Sequence, residues 1–223
     1  MRMILITIVG LITINNSFGQ DRMVVDKPFN GNTHYGRFSK HIDSLNDLPS
    51  NIQFNVKGYL NMILGTMNDS LIFSHGQIVD LENKFKTDSV TYGYAWIVPK
   101  YDLNFVLKDN TIGIISYYLQ IRLDSYGQVL YTNWPKESHS EKMRFKSRID
   151  IEQFALRQAD KKGFDLNGYK VDFKYNEKLD KLCWVFKFPF KVEKNRKEYD
   201  AIEIPWNYIE IIDEYRTMTS IVH

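Results

Sequence analysis

Between Tyr101 and Trp134 apolar and polar residues alternate so regularly, and the turns are so short, that the chain is constrained to antiparallel β-sheet. Tyr101, Leu103, Phe105 and Leu107 are separated by Asp102, Asn104 and Val106, and a period of two places the first set on one face of a strand. Asp109-Asn110 makes a turn, and the run from Ile112 to Leu123 is the partner strand, with Tyr117, Leu119, Ile121 and Leu123 on one side. Asp124-Ser125-Tyr126-Gly127 turns again, with glycine where φ is expected to be positive, and Val129 to Trp134 returns as a third strand.

The flanking segments change period. Ile52, Val56, Tyr59, Leu60, Ile63 and Met67 recur at helical spacing after Ser50 and Gln53, which resemble a capping box. The spacing predicts a helix over 51–66, with Gly65 near its end and Asn68-Asp69-Ser70 as its exit turn. Residues 20–48 carry glycine, asparagine and isolated aromatics without periodicity and read as an irregular arm, and the polar stretch 136–148 after Pro135 reads as a linker. A second helix follows, capped by Asp150, with Ile151, Phe154 and Ala155 on one face, Lys161 and Lys162 at its negative end and Gly163 as terminator. Strands then resume at 169–175, 182–190, 199–204 and 208–212.

The predicted fold class is therefore α+β, in two similar halves (49–135 and 149–223), each a helix packed on an antiparallel meander. Residue patterns support the likeness. Tyr101-Asp-Leu-Asn-Phe105 parallels Tyr169-Lys-Val-Asp-Phe173, and Tyr117 to Leu123 parallels Trp184 to Phe190. Duplication and the generic alternation of one-sided strands both account for this.

The N-terminus points to export. Arg2, the apolar run over residues 4–14 and the small residues Ser17 and Gly19 form a secretory signal, with cleavage between Gly19 and Gln20. The run is shorter than the roughly 20 residues of a membrane anchor, and no cysteine near residue 20 offers a lipidation site. The expected product is soluble, periplasmic or secreted, and not inserted in a membrane. Its single cysteine, Cys183, excludes an intramolecular disulfide and sits among apolar neighbours as an inert core residue. A net charge of +2 argues against nucleic acid as partner.

The segment Tyr118-Leu-Gln-Ile-Arg-Leu-Asp-Ser-Tyr-Gly127-Gln-Val-Leu130 resembles the strand, Asp-x-x-Gly turn, strand signature of PepSY-like domains. The second half has Lys194-Asn195-Arg196-Lys197 where a second such turn would lie. The resemblance implies small exported α+β modules, often in tandem, that bind or restrain partner proteins rather than catalyse. No catalytic residues carry over, and turn geometry explains Asp124 and Gly127.

Motifs for chemistry are sparse. His34, His41, His75, His139 and His223 show no metal-ligand spacing, neither a nucleophile elbow nor a phosphate loop occurs, and Ser74-His75 is mere adjacency. No metal, cofactor or enzymatic activity is expected. A hydrolase would require His75 and carboxylates from different strands to converge in one deep pocket; an envelope structural or immunity-type protein is a further reading. Candidate partner-binding residues for a protein or peptide are the basic hairpin tip, Lys191, Lys194, Arg196 and Lys197, and the strand-end tryptophans Trp134 and Trp206, which can equally close the core. Opposite charges on Lys187–Lys197 and Glu198–Glu214 can also pair across adjacent strands.

Overall fold

The alternating runs form two antiparallel sheets in a computed structural model that describes residues 38–87, 98–136, 144–193 and 196–220. The signal segment with Gly19 and Gln20, most of the arm, residues 137–143, Lys194, His34, His139 and His223 lie outside the described residues. The first sheet runs β1 (Ser39–Ile42), β2 (Leu71–Val79), β3 (Tyr101–Asp109), β4 (Ile114–Leu123) and β5 (Val129–Thr132), in that spatial order. The second runs β6 (Lys170–Asn176), β7 (Lys181–Glu193), β8 (Arg196–Pro205) and β9 (Asp213–Ser220). Each neighbour follows in sequence, with a 15-residue helix between β1 and β2.

Helices cover the apolar faces. On β3 and β4, Leu103, Phe105, Leu107, Leu119, Ile121 and Leu123 are buried, and the α1 helix (Ser50–Leu64) contributes Ile52, Val56, Leu60 and Ile63 to the same core. A second long helix, Arg148–Lys161, does the same for β7 and β8 with Ile151, Ala155 and Ala159. Between them lies α2 (Leu81–Thr87), absent from the sequence-based expectation. It is a short amphipathic helix of about two turns, with Leu81 and Phe85 packed on Val79 and Val98. The Arg148–Lys161 helix is therefore α3.

Helix ends differ from expectation for local reasons. Ser50 is already helical, Pro49 stands at the cap, and the Gln53 side chain donates to the Leu48 carbonyl at 2.9 Å, so no capping box forms there. The box lies one short turn earlier, between Ser44 and Asp47, where it opens a 3-10 turn inside the supposedly irregular arm. That arm also supplies β1, whose four residues are too few to show a period. Helix α3 begins after Ser147, which leaves Asp150 in the first turn, where its charge suits the helix dipole. Gly163, at φ +72°, ends it, and the Phe164 N–H returns to the Ala159 carbonyl at 3.0 Å.

The Asp-x-x-Gly turn has the expected form. Asp124 Oδ1 accepts from the N–H groups of Tyr126 and Gln128, both at 2.8 Å, and Gly127 has φ +84°. The missing side chain also matters, because α1 rests on this hairpin: a Cβ on Gly127 would lie 2.8 Å from Asn55 Nδ2 and 2.9 Å from Ile52 Cδ1. Gly127→Ala should therefore cost about 2 kcal/mol in urea unfolding. Gly163→Ala, where φ is equally positive but nothing lies within 4 Å, should cost about half as much. Equal losses would show that α1 does not press on the turn.

In each half one long helix precedes four antiparallel strands. The residue parallels, however, match β3 with β6 and β4 with β7, although β2 intervenes between α1 and β3 and nothing comparable precedes β6. The repeated lettering thus slips by one strand against the element order. The halves also share one core in the unit His34–His223. Trp134 meets Tyr117 at 5.7 Å between ring centroids, Tyr117 meets Phe173 at 5.5 Å, and Phe173 meets Trp184 at 4.6 Å, so an aromatic row crosses from one sheet to the other. Arg148 braces the same seam, with its guanidinium over Trp184 and a 3.2 Å hydrogen bond to the Gly113 carbonyl.

The last strand is displaced from its expected place at 208–212. Strand β8 continues to Pro205, so the chain must loop before Asp213 can stand opposite Glu203. Ile209 is exposed in that loop, and Ile211 packs on the core. The charged runs do meet across strands, Lys191 opposite Glu198, but several bonded pairs reach outward: Lys187 to Asp172 on β6, and Arg216 on β9 to Asp200 at 3.0 Å. Each contributes about 0.2 to 1 kcal/mol.

Candidate functional site: a tyrosine cleft beside an open strand edge

The two sheets approach each other at β4 and β6 without joining into one ladder. The gap is a cleft of about 380 Å³ lined by Ser116, Tyr117, Tyr118, Tyr131, Asn133, Phe173, Lys174, Tyr175 and Glu177. Its volume falls at the small end of the range for ligand pockets.

Strand register explains why the gap exists. Strand β5 pairs with β4 only from Ile121 to Leu123. Beyond it, the Asn133 side chain takes the place of a strand residue: its Oδ1 accepts from the Gln120 N–H at 2.8 Å, and its Nδ2 donates to the Tyr118 carbonyl at 2.7 Å. Tyr117 in turn donates its hydroxyl to the Asn133 carbonyl, fixing the residue that caps the edge. Past Asn133, residues 114–119 of β4 have a strand partner on the β3 side alone. An extra residue between Ile114 and Tyr117 bulges the strand at this point, a device that ends pairing and re-aims side chains. In antiparallel strands a residue presents its N–H and C=O to the same side, so the Tyr118 N–H also points away from β3, toward the cleft.

The walls are aromatic and the rim is polar. Tyr118 is 67% exposed. Tyr131 lies against the Arg122 guanidinium at 5.3 Å, and Arg122 is bonded to Asp102 at 3.1 Å. Tyr175 donates its hydroxyl to Asp180, which also accepts from the Lys136 N–H at 3.2 Å. Burial pushes the hydroxyls of Tyr117, Tyr131 and Tyr175 to higher pKa; neighbouring Tyr131 and Tyr175 add to this at Tyr117, the Glu177 carboxylate at Tyr131, and the Asp180 hydrogen bond at Tyr175. All three stay neutral donors through the physiological range.

Lys174 reaches from the cleft to the outer face of the second sheet. There it pairs with Glu203, a carboxylate 1% exposed. Glu203 also accepts from Tyr215 at 2.6 Å and from Asn176 at 2.8 Å, and Lys174 donates to the Tyr215 hydroxyl at 2.8 Å. Burial alone would raise the Glu203 pKa, but the bonds from Lys174, Tyr215 and Asn176 outweigh it and hold the carboxyl below its ordinary value. Burial would likewise lower Lys174, and its bonds to Glu203 and Tyr215 raise it instead. Beside this group Cys183 is fully buried, and its thiol is pushed up to about 12 by burial and the Glu203 charge. A thiol in that state is inert.

The residues singled out from sequence lie elsewhere. Trp134 and Trp206 are core side chains, 0% and 4% exposed. Trp206 packs against Phe145 with the rings tilted and their centroids 4.5 Å apart. This corrects the reading of the two tryptophans as a surface patch: each follows a strand that ends at the seam between the sheets, so the core encloses it. At the β7–β8 tip, Lys191 and Arg196 are exposed, Arg196 is bonded to Glu198 at 2.9 Å, and Lys197 is half-buried. His41 and His75 stack at 6.0 Å on β1 and β2, with Asp43 2.9 Å from His41 and Ser74 3.1 Å from His75, but both rings are exposed and neither lines the cleft. Among the described residues no three His, Cys, Asp or Glu side chains are placed to hold a metal ion, and no helix is long and apolar enough to cross a membrane. Sequence reasoning missed the cleft tyrosines as a site: Tyr118 shares its strand face with Ser116, Gln120 and Arg122 and carries no local signal of a cleft.

No family model, curated protein or solved structure matches the chain.

Proposed function

We propose that the chain is an exported, non-catalytic binding or inhibitory module that receives an extended segment of a partner protein or peptide along the open edge of β4. The observation that carries this reading is the β4 edge at Tyr118, where β5 has ended, the Asn133 side chain takes the carbonyl and the N–H is left facing a tyrosine-lined cleft. Backbone groups on such an edge accept an added strand, and flanking pockets select alternate side chains. Tyrosine supplies large contact area with little loss of side-chain freedom. Export rests on the N-terminal signal pattern, and the non-catalytic role on the resemblance to PepSY-like modules, whose turn is the hairpin that carries β4.

Selection of a displayed library of unstructured peptides against the mature chain, Gln20 to His223, tests the proposal. Selected peptides should bind saturably, and Tyr118→Ala and Tyr131→Ala should each weaken them about tenfold with little change in unfolding midpoint. Binding unaffected by both substitutions, or cleavage of the peptides, would overturn it.

A further inference from the structure

We infer that the segment taken by the cleft is basic, and that an arginine or lysine side chain of the partner sits between the tyrosines and Glu177. This rests on the strand-edge reading above and specifies its ligand. Tyrosines line the walls, and the negative quadrupole of a ring face attracts a cation, as Tyr131 already does with the Arg122 guanidinium at 5.3 Å. At the rim, exposed Glu177 has the Tyr131 hydroxyl 3.5 Å away, too far for a firm hydrogen bond, and no lysine or arginine among the described residues lies in ion-pair distance of it. Asp180, at φ +50°, accepts from the Tyr175 hydroxyl and from the Lys136 N–H and has no cationic side chain bonded to it among the described residues.

The two basic side chains that border the cleft tyrosines, Lys174 and Arg122, are already paired. The Lys174 ammonium is bonded to Glu203 and Tyr215, so the cleft meets its methylene stem. Arg122 is bonded to Asp102 and lies against Tyr131. The rim carboxylate of Glu177, which has no ion pair among the described residues, attracts a cation and repels an acidic segment. Arginine fits best, because its planar guanidinium stacks on a ring while its N–H groups reach a carboxylate.

The test uses a fluorescein-labelled, acetylated and amidated heptapeptide of alternating threonine and arginine, and its twin with citrulline, which keeps the shape and loses the charge. The arginine peptide should bind the mature chain about tenfold more tightly. Glu177→Gln, an exposed change that leaves the fold intact, should remove most of the difference, as should raising salt to 1 M. Equal affinity of the two peptides, with both weakened by Tyr131→Ala, would overturn the cation preference while leaving strand-edge binding in place. Failure of both peptides, with arginine amide alone still perturbing the Tyr118 and Tyr131 ring resonances, would uphold the cation site and overturn the strand-edge reading. No response to any of the three would overturn both.

Discussion

Trp134→Ala is expected to lower the unfolding free energy by about 4 kcal/mol, a large fraction of the roughly 5–15 kcal/mol that stabilises an ordinary domain. The indole is fully buried, and its N–H has no hydrogen-bond partner among the described residues. Its contribution is therefore apolar packing, centred on Tyr117 and through it on Phe173 of the other sheet. Truncation would leave a large cavity at the seam and loosen the residue whose hydroxyl fixes Asn133. Trp134→Phe should recover more than half the loss. Urea denaturation measures both; a loss under about 0.5 kcal/mol for the alanine variant, typical of a surface position, would show that Trp134 does not close the core.

Lys174→Met should cost about 2 kcal/mol near neutral pH, less than for a fully buried pair because the ammonium is partly solvated, since it leaves the buried Glu203 charge with only Tyr215 and Asn176 as partners. The double variant with Glu203→Met should be clearly more stable than the single one, since a buried carboxylate without a cation costs more than an apolar pair of similar size. The pH dependence follows from the two directions of shift. Glu203 is held below its ordinary value of 4.5 in the folded chain, so its contribution is complete above that value and is lost as pH falls through the lowered one. Lys174 is held above its ordinary 10.5, so its contribution is complete below that and is lost as pH rises through the raised value. Urea midpoints measured from pH 3 to 11 should therefore show acid and alkaline losses in the parent chain that shrink in the double variant. Parallel curves for the two proteins would contradict the assignment.

What the sequence made legible was what short-range chemistry decides. Alternation along β3 and β4, helical spacing from Ile52 to Ile63, and the Asp124–Gly127 turn each depend on residues a few positions apart, and each stands in the structure. The strand β9 was misplaced because apolar Tyr208, Ile209 and Ile211 imitate a strand where long-range register with β8 requires a loop. Trp134 and Trp206 were ambiguous because burial at a strand end depends on where the other sheet lies. The cleft was invisible for the same reason: Tyr118, Tyr131 and Tyr175 come together only when β5 stops short, Asn133 caps the edge and β6 arrives beside it. None of these three events leaves a local pattern.

Amide hydrogen exchange at Tyr118 tests the central claim most directly. In the free chain the Tyr118 N–H should exchange much faster than that of Leu119, which pairs with Phe105 on the closed side of the strand. Saturation with a selected extended peptide should slow Tyr118 by at least about a hundredfold, as its N–H enters a new ladder. A Tyr118 amide that stays fast while protection appears elsewhere, at the β7–β8 tip or along β9, would contradict strand addition at β4.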